Sequence, residues 1–120
     1  MSKSAITIKA FGIYMLMLGC SLILVPNLML SVFRFPLTTE VWIRVAGVLV
    51  FNIGVYYIYA AKSEMRAFFM ASVFTRIFVL MTFSSFVLLG FASPALILIG
   101  SVDFAGGIWT YITLKSEMAD

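Results

Sequence analysis

The sequence predicts an all-α fold, an integral membrane four-helix bundle, and three observations predict it. Of the 120 residues, 63% are hydrophobic and only 11% are charged, with a mean hydropathy of +1.14. A water-soluble domain is nearer to about half apolar and about a quarter charged, and so small a chain leaves too much surface exposed to hide this content in a soluble core. The apolar residues gather in four runs, most of them about as long as the 20 residues that span a hydrocarbon core. The links between the later runs are short, "SEMR" and "ASP", so neighbouring helices are antiparallel and the chain reads as one transmembrane domain over 1–120.

The first run, "AFGIYMLMLGCSLILV", covers Ala10–Val25 (10–25). Pro26 interrupts it, because proline removes a backbone donor and crowds the preceding turn. The following "NLMLSVFRF" reads as a kinked extension to Phe33. Lysines precede this run, but no small-residue cleavage pattern follows it, so it reads as retained rather than as a signal peptide. The second run is Trp42–Ala61 (42–61), the third Ala67–Phe91 (67–91) and the fourth Ala95–Leu114 (95–114).

Composition also limits the chemistry. The chain has one cysteine, Cys20, and no histidine, which rules out an intramolecular disulfide or a CxxC pair and removes the commonest metal ligand. With no acidic pair either, general acid–base and nucleophilic catalysis lack their usual groups. An enzyme is not expected, nor is a metal or cofactor. The net charge of +3 comes from scattered Lys and Arg rather than a basic patch, so nucleic acid is not an expected partner. Membrane lipids are, together with a second copy or another membrane protein. Lys3, Lys9, Lys62, Arg66 and Lys115 fall on one side of the bundle, and Arg34 and Arg44 on the other. Positive residues concentrate in cytoplasmic loops. The expected topology is therefore multi-pass in the cell inner membrane with both termini cytoplasmic and Trp42 anchoring the outer interface.

Asp103 lies inside the fourth run, about 16 Å from its inner end at 1.5 Å per residue. Arg76 in the third run and Asn52 in the second lie at similar depth. Each charge at mid-bilayer costs about 2.5–3.5 kcal/mol on insertion scales, so polar groups converging on one level call for an explanation. The expectation is an Arg76–Asp103 pair, since a guanidinium fork suits a carboxylate, with Asn52 adding a donor or acceptor. Tyr56 is expected to point inward beside them. Thr110, on the Asp103 face, and Arg44, near the outer end, are secondary candidates.

Two resemblances bear on function. W-x-R-x-x-G (Trp42, Arg44, Gly47) with a following G-x-Y-Y (Gly54, Tyr56, Tyr57), Arg76 in the third helix, and D-x-x-G-x-x-W-T (Asp103, Gly106, Trp109, Thr110) resemble small bacterial four-helix membrane proteins of the DoxX-like type. The resemblance implies a fold more than an activity, and a single cysteine departs from the thiol redox work of some such relatives. "GVLVFN" (Gly47–Asn52) and "TFSSF" (Thr82–Phe86) are similar to elements of the fluoride-channel family, although that family's glycine-rich opening of helix one is missing. The functional expectation is a polar cluster that binds or moves a small molecule, ion or lipid. The alternatives are an accessory subunit whose Arg–Asp pair only fixes helix packing, and a fluoride-type channel.

Overall fold

The computed structural model describes residues 1–119. They form five helices: α1 (Lys3–Leu24), α2 (Pro26–Val32), α3 (Trp42–Lys62), α4 (Arg66–Leu88) and α5 (Ala95–Ala119). Of these, α1, α3, α4 and α5 are long and apolar enough to cross a membrane. The start of α1, the α3–α4 turn and the end of α5 share one end of the molecule, called here the near end. The α1–α2 break and the α4–α5 turn lie at the far end.

α1 starts well before the expected Ala10, because its first turn is capped from elsewhere in the chain. The Ser2 hydroxyl accepts the Ala5 N–H at 3.1 Å. The Glu64 carboxylate accepts the Ser2 N–H at 2.6 Å and the Ser2 hydroxyl at 2.7 Å. Glu117 of α5 accepts the Ser4 N–H at 2.9 Å and the Ser4 hydroxyl at 2.6 Å, and itself pairs with Arg66 at 3.0 Å. The N–H groups at a helix start have no intrahelical partner and favour negative charge, and these two carboxylates supply both needs. An apolar run marks only where greasy residues begin. The same contact carries α5 past the expected Leu114.

At the far end the helix does not continue through the proline. Pro26 opens a separate α2 at its first position, where a missing N–H costs nothing. The break leaves the Ile23 carbonyl without a helical donor, and the Arg44 guanidinium donates to it. α4 ends before the expected Phe91 in a Schellman turn. Gly90, at φ 82°, donates to Val87 at 3.1 Å and Phe91 donates to Phe86 at 2.8 Å, a closure that needs a left-handed residue. The α3–α4 turn closes the same way through Glu64, at φ 52°, with Met65 donating to Ala60 at 3.1 Å.

α1 packs along α3, α4 along α5, and the two pairs meet chiefly where α1 touches α5. Glycines set the α1–α3 distance. A Cβ on Gly12 would lie 3.0 Å from the Gly54 carbonyl, and one on Gly54 would lie 2.8 Å from the Gly12 carbonyl. Seven residues along, a Cβ on Gly19 would meet the Phe51 nitrogen at 2.6 Å and the Gly47 carbonyl at 2.8 Å. Close approach through small residues is how helices gain packing energy when lipid removes the hydrophobic drive between them. The buried apolar core, with Ile8, Phe11, Tyr57, Phe69 and Leu114, lies toward the near end.

Two outcomes follow from these contacts. Gly19→Val drives side-chain atoms into α3 backbone, which cannot yield as a flexible side chain would. It should destabilise the protein by about 1–3 kcal/mol or more, the usual cost of overpacking, whereas Gly100→Ala, whose Cβ would sit 3.3 Å from the Leu80 Cα and requires a shift of only a few tenths of an ångström, should cost less; denaturant unfolding in bicelles compares them. The second concerns acid. The Ser2 hydroxyl and N–H hold the Glu64 carboxyl below its ordinary value. The cap is therefore fully present above the ordinary glutamate pKa of about 4.3 and is lost as the pH falls through the lowered value. Amide protection at Ser2 should fall across that window and lose its pH dependence in Glu64→Gln.

Candidate polar site and cavity

Arg76 projects from α4 into the junction of the four long helices and is only 2% exposed. Its Nε donates to the Ser72 carbonyl at 3.1 Å, and its Nη2 donates to the Ser72 hydroxyl and to the Thr110 hydroxyl of α5, both at 2.9 Å. The guanidinium lies over the Phe11 ring of α1 at 4.7 Å and near the Tyr57 ring of α3 at 5.7 Å, geometry that favours a cation over an aromatic face. The hydroxyls continue the chain of bonds. Thr110, fully buried, lies 2.7 Å from the Thr7 hydroxyl, and Thr7 donates to the Ser4 carbonyl at 2.6 Å. The Thr110 hydroxyl also has the Gly106 carbonyl of its own helix as an acceptor, at 3.1 Å. A hydrogen-bonded ladder runs from Arg76 through Thr110 and Thr7 to the capped start of α1. Arg76 Nη1 stands outside it, buried and without a hydrogen-bond partner, against the Gly106 backbone, where a Cβ would come within 3.2 Å of it.

The expected Arg76–Asp103 pair does not form. Among the described residues the ion pair present is Arg66–Glu117, and the guanidinium is spent on Ser72 and Thr110. The reason is the direction of side chains on helices. Cα–Cβ bonds tilt toward a helix's own N-terminus. α4 starts at the near end and α5 at the far end, so Arg76 leans toward one end and Asp103 toward the other, and the residue of α5 beside the Arg76 Cβ is Gly107, where an added Cβ would lie 3.4 Å away, about one turn from Asp103. Asp103 is half-buried and lies within electrostatic reach of Arg76, Tyr57 and Tyr14.

Two other placements differ from expectation. Asn52 is exposed, and Tyr56 is 64% exposed while its neighbour Tyr57 is 6% exposed. The glycine seam fixes this phase. Gly47 and Gly54 must face α1, successive helix residues turn by about 100°, and Asn52 and Tyr56, two residues either side of Gly54, therefore face away. Arg44 is exposed and serves the end of α1. Thr110, a secondary candidate by sequence, is a principal partner of Arg76. Ser72, Thr7 and Phe11 carry much of the site without having been singled out as partners of Arg76; a serine one turn before a buried arginine was the available signal.

Toward the far end the helix pairs diverge around a cavity of about 380 Å³. Tyr14, Leu18, Ala46, Val50, Phe83 and Ile99 contribute to its walls, and Met29 and Leu30 of α2 cover it. Ile99 lies one helical turn from Asp103. Tyr14 also borders a shallower hollow of about 220 Å³ with Phe11, Gly106 and Trp109. Tyr14 thus stands between an apolar chamber and the level of Asp103 and Arg76 Nη1. No group of three or more His, Cys, Asp or Glu side chains gathers as metal ligands would among the described residues.

Comparison with protein-family models, with curated proteins and with solved structures gives no match. The site's own geometry therefore carries the functional reading.

The bonding pattern separates two variants. Thr110→Val removes an acceptor from a buried guanidinium and should cost about 1–3 kcal/mol, the desolvation penalty of an orphaned buried group. Asp103→Asn breaks no hydrogen bond or ion pair and should cost less. Chemical unfolding in micelles orders them, and a larger loss in Asp103→Asn would show that Arg76 depends on the carboxylate after all.

Proposed function

We propose that this chain is a multi-pass protein of the cell inner membrane, with both termini cytoplasmic, that binds a lipid-like amphiphile between its two helix pairs. The observation that carries the reading is the apolar cavity walled by Tyr14 and Ile99, the latter one helical turn from Asp103, an ionisable group that makes no hydrogen bond or ion pair among the described residues. Pockets of this size accept small ligands and are characteristically apolar with a few placed polar groups. An intramembrane ionisable side chain that faces a cavity is a mark of function. The hydrocarbon part of the ligand lies among Leu18, Val50, Phe83 and Ile99. Its polar end reaches Tyr14 and Asp103, and the free protons of Arg76 Nη1 call for an acceptor nearby, so the matching headgroup carries both a donor and an acceptor. α2, joined to α1 only through the Pro26 break, forms the cover.

A purely structural role is the competing reading, and one observation favours it: Ser72 and Thr110 already satisfy most of the guanidinium. Ala46→Trp, which fills the cavity without touching Arg76, tells them apart. Native mass spectrometry of the protein extracted in mild detergent should show a co-purified amphiphile on the unaltered chain. In Ala46→Trp occupancy should drop by about tenfold, a change equivalent to 1.4 kcal/mol of binding, with the thermal midpoint retained. Equal occupancy in the two proteins, or none in either, would leave only the structural role.

A further inference from the structure

Every long helix here leaves one face uncovered, and that alone says nothing about a partner. α3 differs in what the face carries. Trp42, Val45, Leu49, Asn52, Tyr56 and Tyr59 are all exposed, and their spacing of 3, 4, 3, 4 and 3 residues is that of a helix–helix seam. Asn52 lies at its centre, ten residues from each end of Trp42–Lys62. Its carboxamide makes no hydrogen bond among the described residues, and no water is available at the middle of a spanning helix. The exposed polar groups of other helices are handled differently. Ser21, Thr82 and Ser85 each donate to their own backbone one turn back, at 2.8–2.9 Å, which a hydroxyl does easily. The primary amide of Asn52 has two donors and an acceptor and is left with none of them used.

We infer that the outer face of α3 is the contact between two copies of this chain, related by a twofold axis along the membrane normal, with Asn52 of each copy hydrogen-bonding Asn52 of the other. A carboxamide is self-complementary: each gives an N–H and receives one. A twofold axis places a residue opposite itself, so one central asparagine satisfies both copies. A single polar residue in an otherwise apolar seam also fixes register. Copies inserted in the same orientation make the α3 helices parallel, with Val45 facing Val45 and Tyr59 facing Tyr59. The inference needs the membrane-spanning reading but not the occupant of the cavity, which lies on the opposite side of α3, against α1.

The test uses the full chain in phosphatidylcholine bicelles, with Cys20 replaced by Ser to silence the exposed thiol. Energy transfer between labelled copies should report a dimer. Asn52→Leu should weaken association by about 3- to 30-fold, the span that interhelical hydrogen bonds contribute in membranes, and leave the thermal midpoint of the fully diluted monomer unchanged, because Asn52 makes no hydrogen bond among the described residues of the chain. Val45→Cys should cross-link to itself, as should Tyr59→Cys. A monomer at all protein-to-lipid ratios overturns the inference, as does association unchanged in Asn52→Leu or cross-linking confined to Phe78→Cys on α4. Cross-links only between position 45 and position 59 overturn the parallel arrangement.

Discussion

Arg76 touches every long helix: Ser72 on its own α4, Thr110 on α5, the Phe11 ring on α1 and the Tyr57 ring on α3. A guanidinium so thoroughly sealed must have its protons received, because an unpaired buried charge costs far more than any single packing contact returns. That requirement orders its surroundings. Thr110 must present its hydroxyl to α4, which sets the rotation of α5. The Thr110 and Thr7 hydroxyls share a hydrogen bond at 2.7 Å, which sets α1 against α5. Glycine at 106 and 107 leaves room for the side chain beside α5. The ladder ends at Ser4, whose N–H and hydroxyl Glu117 holds. The far partners of one charge are thus the same groups that start the first helix.

The glycine seam imposes the complementary constraint. α1 and α3 are pressed together at Gly12–Gly54 and Gly19–Gly47, and this contact extends into the far half of both helices. α4 and α5 make their own pair, with Gly100 against Leu80. Nothing comparable joins the pairs at the far end, where the meeting surfaces carry Tyr14, Leu18, Val50 and Phe83. Bulky side chains on both sides keep the pairs apart, while polar bonds draw them together at the near end. A wedge-shaped opening follows, and the cavity occupies it. Pro26 completes the arrangement by ending α1, which frees Met29 and Leu30 to turn over the opening.

How much of this the sequence disclosed depends on which physical signal each feature leaves. Spans are written in hydropathy, so all four runs appear in the structure near their expected places. Arg76 and Asp103 are written in cost, since a charge within an apolar run stands out. Phase is written only in periodicity, and helices in lipid are apolar on every side, so hydropathy alone does not choose Tyr57 over Tyr56 or turn Asn52 outward. The seven-residue glycine spacing, 12 to 19 and 47 to 54, held that information and was the signal to read. The start of α1 lies seven residues before the expected one, because Ser2, Glu64 and Glu117 that cap it are polar and distant in sequence. Depth counted from the run ends points to an Arg76–Asp103 pair, but Arg76 packs beside Gly107, about one turn from Asp103, and the side chains of antiparallel helices lean in opposite senses.

That opposite lean also separates the polar residues by what they face. Arg76 points toward the near end and is met almost wholly by side chains and carbonyls of this chain, so its role in holding the fold needs nothing else. Asp103 lies one helical turn from the cavity wall at Ile99 and has no hydrogen-bond partner among the described residues. Asn52 points out of the bundle and has none either. Polar groups without partners are costly in an apolar solvent, and packing alone would be served better by leucine at both positions. Under the two proposals the cost is recovered when a ligand's polar end reaches Asp103 and when the matching amide of a second copy meets Asn52. The two directions are independent, because the α1–α3 seam lies between them and is too tight to shift. Binding within the cavity and pairing across α3 are then separable properties, and a change that abolishes one leaves the other in place.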